Sequence, residues 1–407
     1  MKKLLAILVL GLLLSSNAYA ATIANCEVES GEISGQGVDN KLDNIYQCVS
    51  DDTFVLDEGQ YVVGENDRID LEQNSGAERV VINNWGWIES TNGGSNAISG
   101  EGSDTVALNN KSTGTIKSPN AIFIGAGSNW EIDNYGDIYS TSAKAINIRG
   151  GDNTKITNRS DAKIRTDEQN AILMQDSAGD DPSETLTLDN YGTVSAKYNA
   201  VKIAVNSTGA TINNYSGATI EATDTDGNNT NAKGAIRIDV NDVTVVNKGS
   251  LIGLGNSSSI RLKDDVTGTK IYVDETASFT GEIHLGNNTS ASNSTLYLGC
   301  NISQDITIEV KKKSKATITN NLCGNDTLTI LDDSEVADAD NSETHGYLVI
   351  DEGLEVVSNN ASYRSENIST KLKGLFNAAN YIDGVEPEDK FFRVFYSSVK
   401  RENMYKG

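Results

Sequence analysis

The sequence predicts an all-β fold: a single-chain right-handed parallel β-helix of about a dozen rungs, then a short helix and one strand of a partial barrel. Three observations carry that expectation. An apolar-x-Asn step recurs between residues 79 and 289, as Ile82–Asn84, Leu108–Asn110, Ile132–Asn134, Ile156–Asn158, Leu188–Asn190, Ile212–Asn214 and Val245–Asn247. A second step follows each one and ends on Ile88, Ile116, Ile138, Ile164, Val194, Ile220 or Leu251. A third segment reads Ala-Ile-x-Ile or close to it, at Ala121–Ile124, Ala145–Ile148, Ala171–Met174, Ala200–Ile203 and Ala235–Ile238. Three short period-2 segments per repeat, parted by Gly, Ser, Asn and Asp, are the pattern of a coiled stack of strands.

A rung of three short strands cannot bury its inner face alone, so it stacks on its neighbours and the core runs along the axis. Each rung adds about 4.8 Å, which makes a rod of about 60 Å. Residues two apart in a strand face the same side. If the Ile or Leu points inward, so do Asn84, Asn110, Asn134, Asn158, Asn190, Asn214 and Asn247. Buried amides need partners, and stacked Asn side chains supply them to one another as a ladder.

The interval from each Asn to the next core residue runs 4, 6, 4, 6, 4, 6, 4. Short rungs read like Asn134-Tyr135-Gly136-Asp137-Ile138, and long rungs carry two more residues, as in Asn158–Ile164. Duplication of a two-rung unit explains the alternation. Two larger Asn spacings, 32 and 33, place insertions at Ser177–Glu184 and Thr223–Ala232. They are expected to be loops projecting from the rod.

Before the repeat, Lys2 and Lys3 precede the apolar run Leu4–Leu14, and Ala18-Tyr19-Ala20 forms a small-x-small cleavage site. Residues 1–20 therefore read as a secretory signal peptide. Residues 21–78 are expected to hold an N-terminal cap and first rungs, 79–289 the repeat, 290–358 the last rungs and a cap, and 359–407 a linker helix with the start of a truncated β-barrel. The formal net charge is −24, and about −26 once Lys2 and Lys3 are removed with the signal. Such a surface repels nucleic acid and keeps an elongated molecule soluble.

Four cysteines fall into two pairs, Cys26/Cys48 and Cys300/Cys323, separated by 22 and 23 residues. That is close to one rung, so each pair is expected in register and within reach of a disulfide in an oxidising compartment. Near the C-terminus, Ile368, Leu372, Leu375, Phe376 and Ala379 have helical spacing, so Glu366–Ile382 reads as an amphipathic helix. The aromatic strand Phe391–Val399 follows it.

Signal peptide, Asn-x-Gly-x-Ile and Asn-Ala-Ile repeats, paired cysteines, the Ile368–Ile382 helix and the aromatic strand together resemble the passenger and linker of a Gram-negative autotransporter. The resemblance implies a β-helical passenger carried to the cell surface by its own C-terminal transmembrane β-barrel, with the outer-membrane assembly machinery as a further partner. A closed barrel needs at least eight strands, and an open sheet cannot sit in lipid. At most one barrel strand is present, so the chain is expected to be a piece of a longer product. The function expected is that of a non-enzymatic, elongated cell-surface scaffold acting in adhesion or surface contact.

The alternative is a secreted β-helix lyase or hydrolase acting on polysaccharide. Asp180-Asp181 and His345-Gly346 match fragments of a pectin-hydrolase pattern, but they stand 165 residues apart. No metal or cofactor is expected. Asp224-Thr225-Asp226-Gly227-Asn228 resembles the start of a calcium loop, yet Asn229 and Ala235 occupy the places where that loop requires Gly and Glu.

One outward column suggests a ligand. The residue between the two core positions of the third segment reads Phe123, Asn147, Leu173, Lys202, Arg237, Arg261 and His284 in successive rungs. Phe123 and Leu173 beside the basic run Lys202, Arg237 and Arg261 form a candidate contact for an anionic surface glycan. Neighbouring Asp239, Asp264 or Glu282 would instead neutralise the stacked charges.

Overall fold

A computed structural model describes residues 26–299, apart from 30–40, 43–44, 72–77, 151, 176–184, 205–208, 224–232, 256, 264–265, 274–275 and 286–292. Beyond residue 299 it describes the backbone of five strands between Ile306 and Val357. Residues 1–20, Cys300, Cys323, both predicted insertions save Thr223, the Asp224 loop and the segment 359–407 lie outside the described residues. Every described element is a strand.

The strands wind into a right-handed parallel β-helix with three sheets of 13, 13 and 10 strands. The apolar-x-Asn segments form the first sheet, in which Val81–Asn84 pairs in parallel with Ala107–Asn110 and so on through Thr244–Asn247. The segments from Trp87–Ser90 to Ser278–Thr280 form the second sheet. The Ala-Ile segments form the third. Asn158 stays opposite Asn190, and Asn214 opposite Asn247, so the longer Asn intervals leave the register intact.

The core follows from the alternation. Along the first sheet the burial pattern alternates between buried and partly exposed, with Ile82, Leu108, Ile132, Ile156, Leu188, Ile212, Val245 and Ile271 stacked as a buried column. Each such side chain contributes about 1.5–3 kcal/mol on burial. One rung departs from the aliphatic pattern. Trp130 is fully buried and donates its indole N–H to the Ser103 carbonyl at 2.8 Å. Gly100 makes the room. It sits in register with Ile124, and a Cβ there would lie 2.3 Å from Trp130 Cζ2.

The N-terminal cap differs from the sequence expectation. Cys26 and Cys48 are joined, but not as in-register residues of successive parallel rungs. Glu27–Glu29 runs antiparallel to Ile45–Gln47, and the disulfide closes the end of that pair. The spacing of 22 residues fits because the chain doubles back rather than winding once around. Beneath this cap, buried Tyr46 packs edge-on against Phe54.

Beyond residue 292 the described strands belong to two of the three sheets. Asn293–Leu298, Lys315–Asn320 and Gly346–Asp351 extend the first sheet, while Ile306–Val310 and Leu328–Asp332 extend the third. Among the described residues the second sheet ends at Ser278–Thr280. Leu354–Val357 folds back antiparallel on Gly346–Asp351 and closes the first sheet.

Candidate functional site

The Asn side chains form a continuous ladder inside the rod. Asn84 Nδ2 donates to Asn110 Oδ1 at 2.8 Å, and the pattern repeats to Asn134, Asn158, Asn190, Asn214 and Asn247 at 2.8–2.9 Å. The second N–H of each amide reaches a backbone carbonyl of the next rung: Asn134 to Lys163, Asn158 to Thr193, Asn190 to Thr219 and Asn214 to Ser250. In short rungs the amide oxygen also accepts from the backbone two residues on, at Gly86, Gly136 and Gly192. The ladder is bounded by Leu56 at one end and Val273 at the other. Asn247 Nδ2, facing Val273, is buried with no partner. The amides from Asn84 to Asn214 are saturated by one another and by the backbone, so their work is structural.

The 4/6 alternation has a steric cause. In long rungs a turn closes between Lys111 and Gly114, Arg159 and Ala162, or Tyr215 and Ala218. The two carbonyls of that turn press onto the glycine of the following short rung. A Cβ on Gly192 would lie 2.4 Å from both Ala162 O and Arg159 O, and Gly136 and Gly249 are confined in the same way.

On the outer surface the third-sheet column is in register as the spacing implies. Phe123, Asn147, Leu173, Lys202, Arg237, Arg261 and His284 stand opposite one another in successive rungs. Two findings change its character. Leu173 is only 5% exposed, so the expected exposed apolar neighbour is absent; Asn147 and Lys202 stand opposite it in the neighbouring rungs. Asp239, whose side chain is 6% exposed, is shared by two cations, accepting from Arg237 Nε at 2.8 Å and lying 3.5 Å from Lys202 Nζ. Glu282 stands 3.3 Å from His284. The buried Asp239 carboxylate thus holds Lys202 and Arg237 of the basic column together.

A second outward column was not foreseen. The residue after each ladder Asn reads Trp85, Lys111, Tyr135, Arg159, Tyr191, Tyr215 and Lys248. Lys111 lies between the rings of Trp85 and Tyr135 at 5.6 and 5.7 Å, and Arg159 covers the other ring neighbour at 5.3 Å from Tyr135. Tyr191 and Tyr215 stack at 4.1 Å with 6° between their planes. Arg159 is also held by Asp133 at 2.6 Å, which raises its pKa. The Tyr191 phenol, then burial and the Asp189 carboxylate push the Tyr215 phenol up. The signal for this column was visible, since every member follows a ladder Asn.

Two inner features also escaped the sequence reading. Ser118, Ser140 and Thr166 are buried at the end of the second sheet and donate to the carbonyls of Ser95, Pro119 and Ala143 in the preceding rung. Asn199 bridges Asn170 Oδ1 at 2.8 Å and the Gly234 backbone N–H at 3.0 Å.

Among the described residues no group of three or more His, Cys, Asp or Glu is gathered so as to hold a metal ion. Comparison with protein-family models, curated proteins and solved structures found no match.

Proposed function

We propose that the chain is the passenger of an autotransporter, exported to the cell surface and working there as a stiff scaffold for adhesion or surface contact. The observation that carries this reading is the register that runs unbroken from Thr53–Leu56 to Gly346–Asp351 along the first sheet. Each rung contacts only its neighbours, so rungs can form one at a time as the chain emerges, and the finished rod transmits position over its length. The leader-like sequence of residues 1–20 and the aromatic-rich sequence of residues 391–399 support export and a barrel to follow. Its own β-barrel and the outer-membrane assembly machinery are the partners this implies. The third-sheet column offers an anionic surface glycan a contact at Lys202, Arg237 and Arg261, with Phe123 three rungs from Lys202 along the same column.

The test is protease treatment of intact Gram-negative cells expressing the complete gene product. Cleavage of the rungs on unbroken cells is expected. Protection until the outer membrane is permeabilised overturns the proposal.

A further inference from the structure

We infer that Tyr191 with Tyr215, and Tyr272 with Tyr297, are sites of oxidative cross-linking, at which a peroxidase-type one-electron oxidant joins neighbouring rungs as dityrosine. Tyr272 and Tyr297 stand opposite each other in the first sheet and stack at 4.6 Å with 2° between planes. Tyr191 and Tyr215 occupy the same corner of consecutive rungs, linked by the Tyr215 N–H to Asn190 carbonyl bond of 2.9 Å. Their rings are 4.1 Å apart and nearly parallel. Rings held face to face at 4.1 and 4.6 Å keep two neighbouring phenoxyl radicals within reach of each other for coupling. Tyr191 is 37% exposed, so small oxidants reach it.

The same stacking argues against a simpler role for these rings. Stacked faces are covered by their neighbours, so a sugar ring cannot lie on them. What reaches solvent is the edge and the hydroxyl.

The chemistry balances. Each phenol loses one electron and its hydroxyl proton; for Tyr215 the Asp189 carboxylate, 3.3 Å away, is placed to take that proton. The two phenoxyl radicals couple through one ortho carbon each. One C–C bond forms, one C–H bond breaks on each ring, and those hydrogens move to the oxygens to restore both phenols. Two electrons and two protons leave the pair and reduce hydrogen peroxide, the terminal oxidant, to two waters. The Cys26–Cys48 disulfide is of the kind that forms in oxidising surroundings, where such an oxidant acts.

The experiment treats the folded full chain with hydrogen peroxide and a peroxidase, then maps tryptic peptides by mass spectrometry. The expected product joins the peptides 166–197 and 203–233 with the loss of two hydrogens, while the chain stays monomeric on a denaturing gel. Tyr135, flanked by Lys111 and Arg159 rather than by tyrosine, is expected to remain unmodified within the chain. Tyr215→Phe keeps the stack and abolishes that linked peptide, leaving the Tyr272–Tyr297 product unchanged; Tyr191→Phe is expected to do the same. Cross-links found only between chains, a link between 166–197 and 203–233 that survives either Phe substitution, or equal yield from chain unfolded in guanidinium overturns the inference. None of these outcomes depends on where the chain resides, so failure here is distinct from failure of the surface assignment.

Discussion

Gly100 and Trp130 are a complementary pair: the indole of one fills the space that the missing side chain of the other leaves in the core. Elsewhere in the third sheet that position carries Ile124, Ile148 or Ile203. Trp130→Ala is expected to cost about 3–5 kcal/mol through the cavity it opens. Gly100→Ile alone is expected to be worse than neutral by about 1–3 kcal/mol, because the core has no room for it. Combined with Trp130→Ala it is expected to cost less than the two single changes together. Denaturant unfolding of the four proteins measures this, and strict additivity would show that the two sites do not share one volume.

Position along the Asn ladder sets the cost of losing a rung. Asn158→Ala leaves the Asn134 amide and the Asn190 oxygen without their ladder partners, whereas Asn247→Ala removes one acceptor and a donor that was already unpaired. The central change is expected to be more destabilising by about 1–3 kcal/mol, the range for one further stranded buried group. Equal shifts of the unfolding midpoint would contradict a ladder that ends at Asn247.

Two glycines of neighbouring rungs should respond to alanine for different reasons. At Gly192 the added methyl meets two carbonyls at 2.4 Å, and at Gly217 it meets open space but sits on a backbone with φ +83°. Gly217→Ala is expected to cost about 1–2 kcal/mol from the left-handed backbone alone. Gly192→Ala should cost more, because two rungs must separate. Thermal melts of both variants give the order, and the reverse order would refute the packing argument.

Arg79 holds the Asp51 carboxyl below its ordinary pKa, chiefly through the hydrogen bond from Nε at 2.6 Å. A depressed carboxyl contributes stability above the unfolded value of about 3.9, and that contribution is lost as pH falls through the folded value. Carboxyl-carbon NMR titration is expected to place Asp51 below the other exposed aspartates. Arg79→Ala should return it to the ordinary range. An unchanged midpoint in the variant would disprove the pairing.

Asp239 restrains the basic column, so Asp239→Asn is expected to strengthen binding of sulfated or uronic polysaccharide several-fold, as one further charge pair is freed. Lys202, Arg237 and Arg261 changed together to Ser should lose it. Equal retention by wild type and both variants on an immobilised polysaccharide would remove the glycan contact at this face.

Much of the fold could be read from the chain because its repeat is written in residue types that obey a period of two. Ile82 and Asn84 announce the first sheet, and Ala121 with Ile122 the third. The sequence was silent where a contact depends on shape rather than on period. Nothing in the spacing of Cys26 and Cys48 tells an antiparallel return from one turn of a coil. Gly100 looks like a break in a strand until Trp130 lies against it. Leu173 reads as outward by alternation, yet it is buried, and alternation alone carries no measure of exposure. Ser118 and Ser140 carry no apolar signal, so their buried donations to carbonyls were invisible. For the candidate contact face, alignment was legible but charge balance was not, since Asp239 lies just past the strand Gly234–Ile238, where alternation no longer indicates burial.

The ladder also has a direction. Every amide from Asn84 to Asn214 donates toward the C-terminal rung, and the backbone N–H groups of Gly86, Gly136 and Gly192 pin the oxygens so that none can turn over by itself. Seven side-chain dipoles therefore point head to tail through an apolar interior, as peptide dipoles do along an α-helix, and each polarises the next. The positive pole is the unshared N–H of Asn247, so the rod is electrically unsymmetrical from within, whatever its acidic exterior.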